Sequence, residues 1–346
     1  MYILSDLHFF LKRFWCIIFD MVNITINDNQ GNQRLDRFLK KYFPKASLGY
    51  IYKMIRKDVK VNGKRKKPET ILEQGDEVCI YIEESKYASL QADIAQERQK
   101  VKKQFSIIYE DENLLIADKP FGLLTHGDSR EKKNHLANQV LSYMIEKGEY
   151  DPRTEKTFVP APANRLDRNT TGIVLFGKTM SSLRELNRML RERDGVEKLY
   201  LTIVSGKIET PLYLKSNMAK DDNRNLTLSA SDDGKIMETD IMPLMYSAGK
   251  KVYTMAEANI HTGRTHQIRF QLSEAGFPII GDSKYGNAGV NRMMKDKYGL
   301  TTQLLHAYKI KFLKVSEDSP LAYLAGREFE CALPKRFERI KKDIFG

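Results

Sequence analysis

The chain has 346 residues, of which 41% are hydrophobic and 29% are charged, and its formal net charge is +12. A chain of this length is expected to form two domains, because single hydrophobic cores stop growing near about 250 to 300 residues. The sequence contains no long uninterrupted apolar run, so a membrane span is not expected. The three cysteines are far apart and form no Cys-x-x-Cys motif, which predicts neither a zinc site nor a disulfide framework.

The first twenty residues are apolar in parts, but charged residues interrupt them and no small-residue cleavage site follows. A signal peptide is therefore not expected. Met21 precedes a strand-like segment, VNITIN, so we interpret residues 1–20 as an N-terminal extension and Met21 as the natural start. Recovery of an intact peptide upstream of Met21 from the native protein would count against this hypothesis.

Nearly all of the net positive charge lies within residues 34–67, which hold thirteen lysines and arginines against two acids. A local excess of this kind attracts a polyanion and releases counterions on binding. Nucleic acid is therefore the first partner to consider. The alternative is a solvated basic helical face that has no partner.

Two short helices are predicted in this basic region. The apolar side chains of residues 35–42 have helical spacing, and Pro44 ends the pattern. Ser47 can cap a second helix that carries the apolar side chains of residues 48–55. The turn pair at residues 62–63, Asn-Gly, then leads into a small strand region.

This region resembles an S4 RNA-binding domain in the stretches RLDRFLKKYFPKAS and IYKMIRKDVKVNGKRKKPETILEQGDEV. The resemblance implies that residues 21–83 form a small α/β domain that binds RNA. The basic residues expected to contact RNA are Arg34, Arg37, Lys53, Arg56, Lys57, Lys64 and Arg65.

Residues 84–104 are polar, mix charges and lack a sustained apolar stripe, which is typical of a linker. Residues 105–346 contain many strand-like segments and few helical ones. The strand-like segments are a pair within residues 105–120 and residues 173–176, 198–204, 252–260 and 305–312, and the helical ones are residues 181–193 and 266–275. This pattern predicts an α+β catalytic domain around a mixed, largely antiparallel sheet.

Residues 172–179, GIVLFGKT, match the nucleotide-binding pattern G-x-x-x-x-G-K-[ST]. A phosphate-binding loop needs a strand before it and an open glycine-rich turn whose amides wrap the phosphate. Here the four middle residues are bulky and strand-forming, and the preceding NRLDRNTT is polar and turn-like. The segment is therefore predicted to be a strand, and a nucleotide hydrolase is a disfavoured alternative.

The polar loop NRLDRNTT delivers one carboxylate, Asp167, just before this predicted strand. Asp167 lies between Arg165 and Arg168, and nearby cations favour the ionised carboxylate that a nucleophile needs at neutral pH. Taken alone, such a cluster is also common as a structural ion pair. The motifs elsewhere in the chain favour the catalytic interpretation.

The segment NRLDRNTTGIVLFGK resembles the signature of the RluA family of pseudouridine synthases, usually HRLD followed by T-S-G and an apolar strand. Three other segments resemble family motifs in the same order: IIYEDENLLIADKPFGLLTHG, EKLYLTIVSG and TGRTHQIRFQLSEAGFPIIGDSKYG. LLHAYKIKF fits the closing strand. The similarity spans residues 107–337, and several long motifs in order are far more specific than any single one.

The resemblance implies that Asp167 is the nucleophile, attacking either the ribose C1′ or the uracil ring. Tyr200 would lie against the target base and take part in proton removal, and Arg269 would pair with Asp167. A sheet-face aromatic is the plain alternative for Tyr200. Arg165 would enter the RNA stack where the uridine leaves, since chemistry on a base in structured RNA requires its extrusion. Further candidates for RNA contact are Arg168, Arg264 and His266.

Three positions depart from the family pattern. Asn164 stands where histidine is usual, Thr171 where serine is common, and Phe270-Gln271 where valine-histidine is frequent. None of these departures removes a proposed catalytic group. They concern the hydrogen bonding around the Asp167 loop.

The implied reaction detaches uracil, turns it and rejoins it through carbon, so no cofactor, metal or nucleotide is expected. The six histidines also lack a metal-ligand spacing. The motif sequences are most similar to those of the branch of the family that modifies several uridines of large-subunit (23S) ribosomal RNA. We therefore expect this RNA to be the partner. We also expect the protein to be a cytoplasmic monomer. A non-catalytic RNA-binding or ribosome-assembly protein with the same fold is the alternative.

Deletion of residues 1–82 is expected to weaken RNA binding and to make it less sensitive to salt, because fewer phosphates are then neutralised. The proposed catalytic residues lie outside the deleted segment and should be unaffected. The slope of log K against log salt concentration for the full and shortened chains measures the effect, and equal slopes would refute a role of this module in RNA binding.

Overall fold

The computed structural model describes residues 20–91, 101–192, 195–221, 226–229, 234–249 and 251–346. The chain forms two compact units, Met1–Lys100 with Lys147–Val159, and Val101–Glu146 with Pro160–Gly346. Residues 1–19 of the predicted N-terminal extension lie outside the described residues. Within the described ranges, no helix is long and apolar enough to cross a membrane.

The first unit contains two small sheets and three helices in its described part. Its elements are β1 (Asp20–Thr25), β2 (Gln33–Arg34), α1 (Leu35–Tyr42), α2 (Leu48–Lys57), β3 (Val59–Val61), β4 (Ile71–Leu72), β5 (Glu77–Ile82) and α3 (Glu84–Leu90). β5 lies between β1 and β3 in an antiparallel sheet, and β2 pairs with β4. Both predicted helices are therefore present.

The helices α1 and α2 form a common core. Leu35, Phe38 and Leu39 of α1 are fully buried, as is Ile51 of α2. The Ser47 hydroxyl accepts a hydrogen bond from the Tyr50 amide at 3.2 Å, so it caps α2 as predicted. The apolar faces thus leave the basic side chains on the surface.

Six of the seven basic residues proposed for RNA contact in this unit are exposed, namely Arg37, Lys53, Arg56, Lys57, Lys64 and Arg65. Arg34 is half-buried instead, because its guanidinium pairs with both carboxylate oxygens of Asp36 at 2.7 and 3.1 Å. The charge of Arg34 is therefore shared with the protein.

The segment expected to be a linker, residues 84–104, begins with the helix α3. Leu90 is buried in the core of the first unit, and the Tyr87 hydroxyl lies 3.1 Å from that of Tyr42. This short helix has few apolar residues, so no clear helical stripe is visible in its sequence.

In its described part, the second unit is built on a sheet of eleven strands. Its elements are β6 (Ser106–Glu110), β7 (Leu114–Lys119), α4 (Leu136–Glu146), β8 (Ala161–Pro162), β9 (Thr171–Gly177), α5 (Met180–Glu192), β10 (Val196–Ser205), β11 (Leu212–Asp221), β12 (Leu226–Ser229), β13 (Lys235–Tyr246), β14 (Tyr253–Ile260), α6 (Gln267–Glu274), α7 (Ala288–Tyr298), β15 (Leu305–Phe312), the 3-10 helix Ala322–Leu324, β16 (Glu328–Glu330) and α8 (Lys335–Phe345).

The main strand order is β12-β11-β13-β14-β10-β15-β9-β7-β6, with β16 beside β15 and β8 beside β9. The described strand pairs are antiparallel except for β9 and β15, which run parallel. The predicted α+β class with a mixed, largely antiparallel sheet is confirmed.

The nucleotide-binding pattern lies on β9 and the residues that follow it. All seven residues of β9 are buried, so they form a central strand and not an open phosphate loop. The Lys178 ammonium donates hydrogen bonds to the Glu110 carboxylate at 3.0 Å and to the Asp111 carbonyl at 2.5 Å. This geometry argues against a P-loop at this position.

The start of β9 is fixed by close contact with β15. Gly172 has a φ of 106°, and a Cβ added to it would lie 2.1 Å from the carbonyl oxygen of Ala307. The neighbouring Thr171 hydroxyl lies 2.8 Å from Nδ1 of the buried His306. The chain immediately after the Asp167 loop therefore has little freedom to move.

Gly172→Ala is expected to lower the free energy of unfolding of the second unit by more than about 2 kcal/mol, because the methyl group overlaps a main-chain oxygen held by the strand pairing. Gly289→Ala is the matched control, since its added Cβ meets only the Asn287 side chain at 3.4 Å. Alanine favours a helix such as α7 by up to about 1 kcal/mol. Denaturant midpoints measure both effects, and a wild-type midpoint for Gly172→Ala would show the argument to be wrong.

Candidate active site

Asp167 lies in the loop that precedes β9, and its side chain is 26% exposed. The loop is tied to the rest of the unit on both sides of this residue. The Thr125 hydroxyl donates to the Leu166 carbonyl and accepts from the Leu166 amide, both at 3.1 Å. The Thr170 amide donates to the Asp167 carbonyl at 3.1 Å. The backbone around Asp167 is thus held in one conformation.

A buried lysine, Lys119 at the end of β7, also holds this loop. Its side chain has no exposed surface, and its ammonium donates to the carbonyls of Pro120, Leu123 and Arg168 at 3.2, 2.8 and 3.0 Å. Burial lowers the pKa of Lys119 to about 7, although the negative charge of Asp167 opposes this shift. The lysine therefore connects the turn after β7 to the residue that follows Asp167.

Arg269 of α6 contacts Asp167 directly. Its Nη1 donates to Oδ2 of Asp167 at 3.0 Å, while its Nε and Nη2 donate to the two oxygens of Asp282 at 2.6 and 2.9 Å. The side chains of Arg269 and Asp282 are only 5% and 1% exposed. One buried guanidinium is thus shared by two carboxylates.

Asp282 is itself held in place by the backbone. Its Oδ1 accepts hydrogen bonds from the amides of Lys284 and Tyr285 at 2.9 and 3.1 Å. Burial alone would raise the pKa of Asp282, but Arg269 and these amides stabilise the carboxylate and lower the pKa below its usual range. Asp282 is therefore a fixed anionic anchor for Arg269.

His266 stands at the N-terminus of α6 in a left-handed conformation, with a φ of 57°. Its Nδ1 lies 3.1 Å from the Tyr285 hydroxyl and its Nε2 lies 3.8 Å from Oδ2 of Asp167. Burial lowers the pKa of His266 to about 4, against the opposing effect of Asp167, so the imidazole is neutral at neutral pH. The uncommon backbone conformation is what brings the ring to the carboxylate.

Tyr200 lies on β10 and is 6% exposed. Burial raises the pKa of its phenol, and the charge of Asp167 raises it further. The phenol therefore stays protonated at neutral pH. This state suits stacking and hydrogen-bond donation, and it argues against direct proton abstraction by a phenolate.

A cleft of about 550 Å³ brings these groups together. Its lining includes Asp167, Tyr200, Arg269, Arg165, Arg264 and His266, all of which the sequence singled out. Arg168 is not part of the lining; its side chain is exposed. The lining also contains Asn187, Arg191 and Lys198, which sequence reasoning missed. Lys198 could have been found, because it precedes Tyr200 by two positions on β10.

The positions that depart from the family pattern make specific hydrogen bonds in this chain. The Asn164 side chain accepts from the Leu175 amide at 2.8 Å and donates to the Ile173 carbonyl at 3.2 Å. The buried Gln271 amide donates to the carbonyls of Leu214 and Met237 at 3.1 and 3.2 Å. Asparagine and glutamine thus join the Asp167 loop and α6 to the sheet.

Residues 113–274 match the RNA pseudouridylate synthase family. The chain is 34% identical over 299 residues to the ribosomal large subunit pseudouridine synthase C of Escherichia coli strain K12, covering 84% of this chain and 88% of that protein. It is 33% identical over 300 residues to the protein of the same name from Pasteurella multocida, covering 84% and 85%.

A solved structure has the same fold. Human RNA pseudouridylate synthase domain containing 4 superposes with a TM-score of 0.50 at 20% identity, covering 68% of this chain and 92% of that one. The sheet, the cleft and the sequence matches together define an RNA-modifying isomerase. The chain belongs to the RNA pseudouridylate synthase family, and within it to the synthase C type that its bacterial relatives represent.

Asp282→Asn is expected to slow the chemical step by about 10²-fold, because an amide cannot accept both hydrogen bonds and Arg269 then loses its alignment toward Asp167. Loss of the buried anion should also lower the free energy of unfolding by about 3 kcal/mol. The measurements are the single-turnover rate of pseudouridine formation at saturating RNA, on protein shown to be folded, and the denaturant midpoint.

Asp343→Asn is the control for this experiment, since Asp343 pairs with Lys297 at 2.8 Å but is 48% exposed, and neither residue lines the cleft. It should leave both measurements near the wild-type values. A wild-type single-turnover rate for Asp282→Asn would mean that Asp282 does not position Arg269 for the reaction.

Proposed function

We propose that this chain converts particular uridines of large-subunit (23S) ribosomal RNA to pseudouridine, with Asp167 as the nucleophile. The observation that carries the proposal is the position of this carboxylate in the cleft, where Oδ2 is bonded to the buried Arg269. Within the described part of the chain, the structure gives Oδ1 no hydrogen bond, so this oxygen is available for attack. The names of the relatives support the RNA substrate.

The cleft volume of about 550 Å³ suits one extruded nucleotide better than a helical RNA segment. Extrusion leaves a gap in the RNA stack. Arg165 is exposed and lines the cleft, so its guanidinium is placed to occupy that gap and stack on the neighbouring bases. Arg264 is exposed at the same cleft and is suited to contact the RNA backbone.

In the proposed reaction the C1′–N1 bond of uridine breaks and a C1′–C5 bond forms. C5 loses a proton and N1 gains one, so atoms and electrons balance within the substrate. Asp167 supplies the nucleophilic oxygen and Arg269 orients the carboxylate through its hydrogen bond to Oδ2. His266, neutral and 3.8 Å from Oδ2, can contact the RNA or the base without competing for the charge of Asp167.

Tyr200 provides a flat, buried surface next to the nucleophile, against which the uracil ring can stack during its rotation. Its protonated phenol can donate a hydrogen bond to the base. In this proposal water or another part of the substrate accepts the C5 proton. Tyr200 mediates this transfer as a protonated phenol and does not act as a free phenolate.

The proposal includes two RNA-binding parts. Residues 21–83 act as an S4-type domain that binds RNA through exposed cations such as Lys53, Arg56 and Lys57. Residues 84–104 connect this domain to residues 105–346, which catalyse the isomerisation. We further propose that the enzyme works as a cytoplasmic monomer without a nucleotide cofactor.

Pseudouridine formation on unmodified ribosomal RNA, mapped by position in metal-free and nucleotide-free buffer, tests the proposal. Wild-type protein is expected to modify defined uridines of the large-subunit RNA. Asp167→Asn should abolish the product while RNA affinity is retained, because the side-chain volume is unchanged and only the nucleophile is lost. Asp343→Asn serves as the matched control and should keep its activity.

The outcomes separate the alternatives. Folded wild-type protein that binds RNA but yields no pseudouridine would favour the non-catalytic assembly protein. Product confined to other RNAs would overturn the substrate and keep the activity. Product from Asp167→Asn at the wild-type rate would exclude Asp167 as the nucleophile.

A further inference from the structure

Residues 125–135, here named the clamp loop, lie next to the nucleophile loop and have no role in the proposal above. The loop is closed at its base, because Leu136 and Ala137 donate their amides to the carbonyls of Leu124 and Thr125 at 2.8 and 3.1 Å. Thr125 also exchanges two hydrogen bonds with Leu166, the residue before Asp167. The clamp loop is therefore anchored directly to the catalytic segment.

The acidic side chains of the clamp loop are bonded to its own backbone. Oδ1 of Asp128 accepts from the amides of Arg130 and Glu131, both at 2.8 Å. Oε1 of Glu131 accepts from the amides of Lys133 and Asn134 at 3.0 and 2.8 Å. These bonds fix the loop in a tight fold although it lies on the surface.

The base of the loop is also tightly packed. A Cβ on Gly127 would lie 3.0 Å from both the Glu131 carbonyl and the His135 ring. Nδ1 of His135 accepts from the Asn138 amide at 3.3 Å and so caps α4. His126 lies near Arg165. Burial lowers the pKa of His126 and the charge of Arg165 lowers it further, so His126 adds no positive charge to the base of the loop at neutral pH.

The outward charge of the clamp loop is positive. Arg130, Lys132 and Lys133 are exposed, whereas the two carboxylates are engaged by backbone amides. Arg168 adds a further exposed cation near Asp128 and Glu131, where its charge helps to lower the pKa of both carboxyls. A cationic ridge thus stands beside the loop that carries Asp167.

We propose that the clamp loop binds phosphates of the RNA strand that flanks the target uridine, which rests on the proposed function. Phosphate contacts set the register of a nucleic acid on a protein and carry no sequence information themselves. A loop that is already ordered loses little entropy when it binds. Because Thr125 bonds the clamp loop to Leu166, phosphates held by the ridge set the distance from the flanking strand to Asp167.

The test compares two double variants of equal composition. Arg130→Gln with Lys132→Gln removes two of the four cations of the ridge, and Arg292→Gln with Lys295→Gln removes two exposed cations from α7. α7 packs through Met294 on Leu201 and Ile203, on the sheet face opposite Tyr200. Affinity for a labelled RNA hairpin with uridines in its loop is measured across a salt series, and single-turnover rates are measured at saturating RNA.

The ridge variant is expected to bind the hairpin at least about fivefold more weakly and to reduce the salt slope by about 0.7 to 0.9 for each phosphate lost. Its rate at saturating RNA should stay within about twofold of wild type, because the ridge acts on binding and not on the reacting atoms. An affinity and slope equal to those of the α7 variant would overturn the proposal.

Asp128→Ala distinguishes an ordered clamp from a diffuse positive surface. The change makes the loop more positive but removes the bonds to Arg130 and Glu131. Weaker RNA binding supports a pre-ordered clamp, whereas tighter binding overturns it. The hairpin affinities do not depend on catalysis, so absence of pseudouridine from wild-type protein would end the proposed function and still leave the phosphate contact measurable.

Discussion

The active site depends on one buried guanidinium that serves two carboxylates. Removing an arginine from water is costly unless its hydrogen bonds are satisfied, and Asp282 satisfies two of them with a paired geometry. Only one nitrogen, Nη1, is directed at Asp167. Two negative charges facing one positive charge leave the group with a net negative charge, so Arg269 orients Asp167 without neutralising it.

This arrangement requires that the Asp167 loop and helix α6 keep their positions within about 0.5 Å. The Asp167 loop is fixed by Lys119, by Thr125 and by the glycine contact at the start of β9. Helix α6 is fixed by buried amides in addition to its apolar packing: Gln267 donates to the Glu238 carbonyl and the Thr239 hydroxyl at 3.0 and 2.9 Å. Hydrogen bonds of this kind have one geometry, whereas apolar contacts permit sliding. The polar residues in this core therefore provide precision at the site.

The sequence predicted the elements that carry its clearest patterns, and it failed where structure depends on distant partners. The helix capped by Ser47, the strand β9 and the helix α6 were found because capping, β-branching and helical spacing are local properties. The helices α4, α7 and α8 and the strands β11 to β13 were missed, since their burial is set by the sheet that they cover or extend. Asp167 and Arg269 were paired only through family resemblance. Asp282 and Lys119 lie in segments that resemble family motifs, yet nothing in the local sequence shows which buried groups their side chains contact.

The cations of this protein divide by burial into two groups with different physical behaviour. Exposed cations on α2 and in the clamp loop lie in water, so dissolved salt screens their charge. Arg269 and Lys119 are buried and contact fixed oxygens at hydrogen-bond distance, where salt has little access. In the proposed function, affinity for RNA and the geometry of Asp167 therefore rest on separate charges. Because of this separation, surface charge can vary to suit another RNA while the chemistry at Asp167 stays the same.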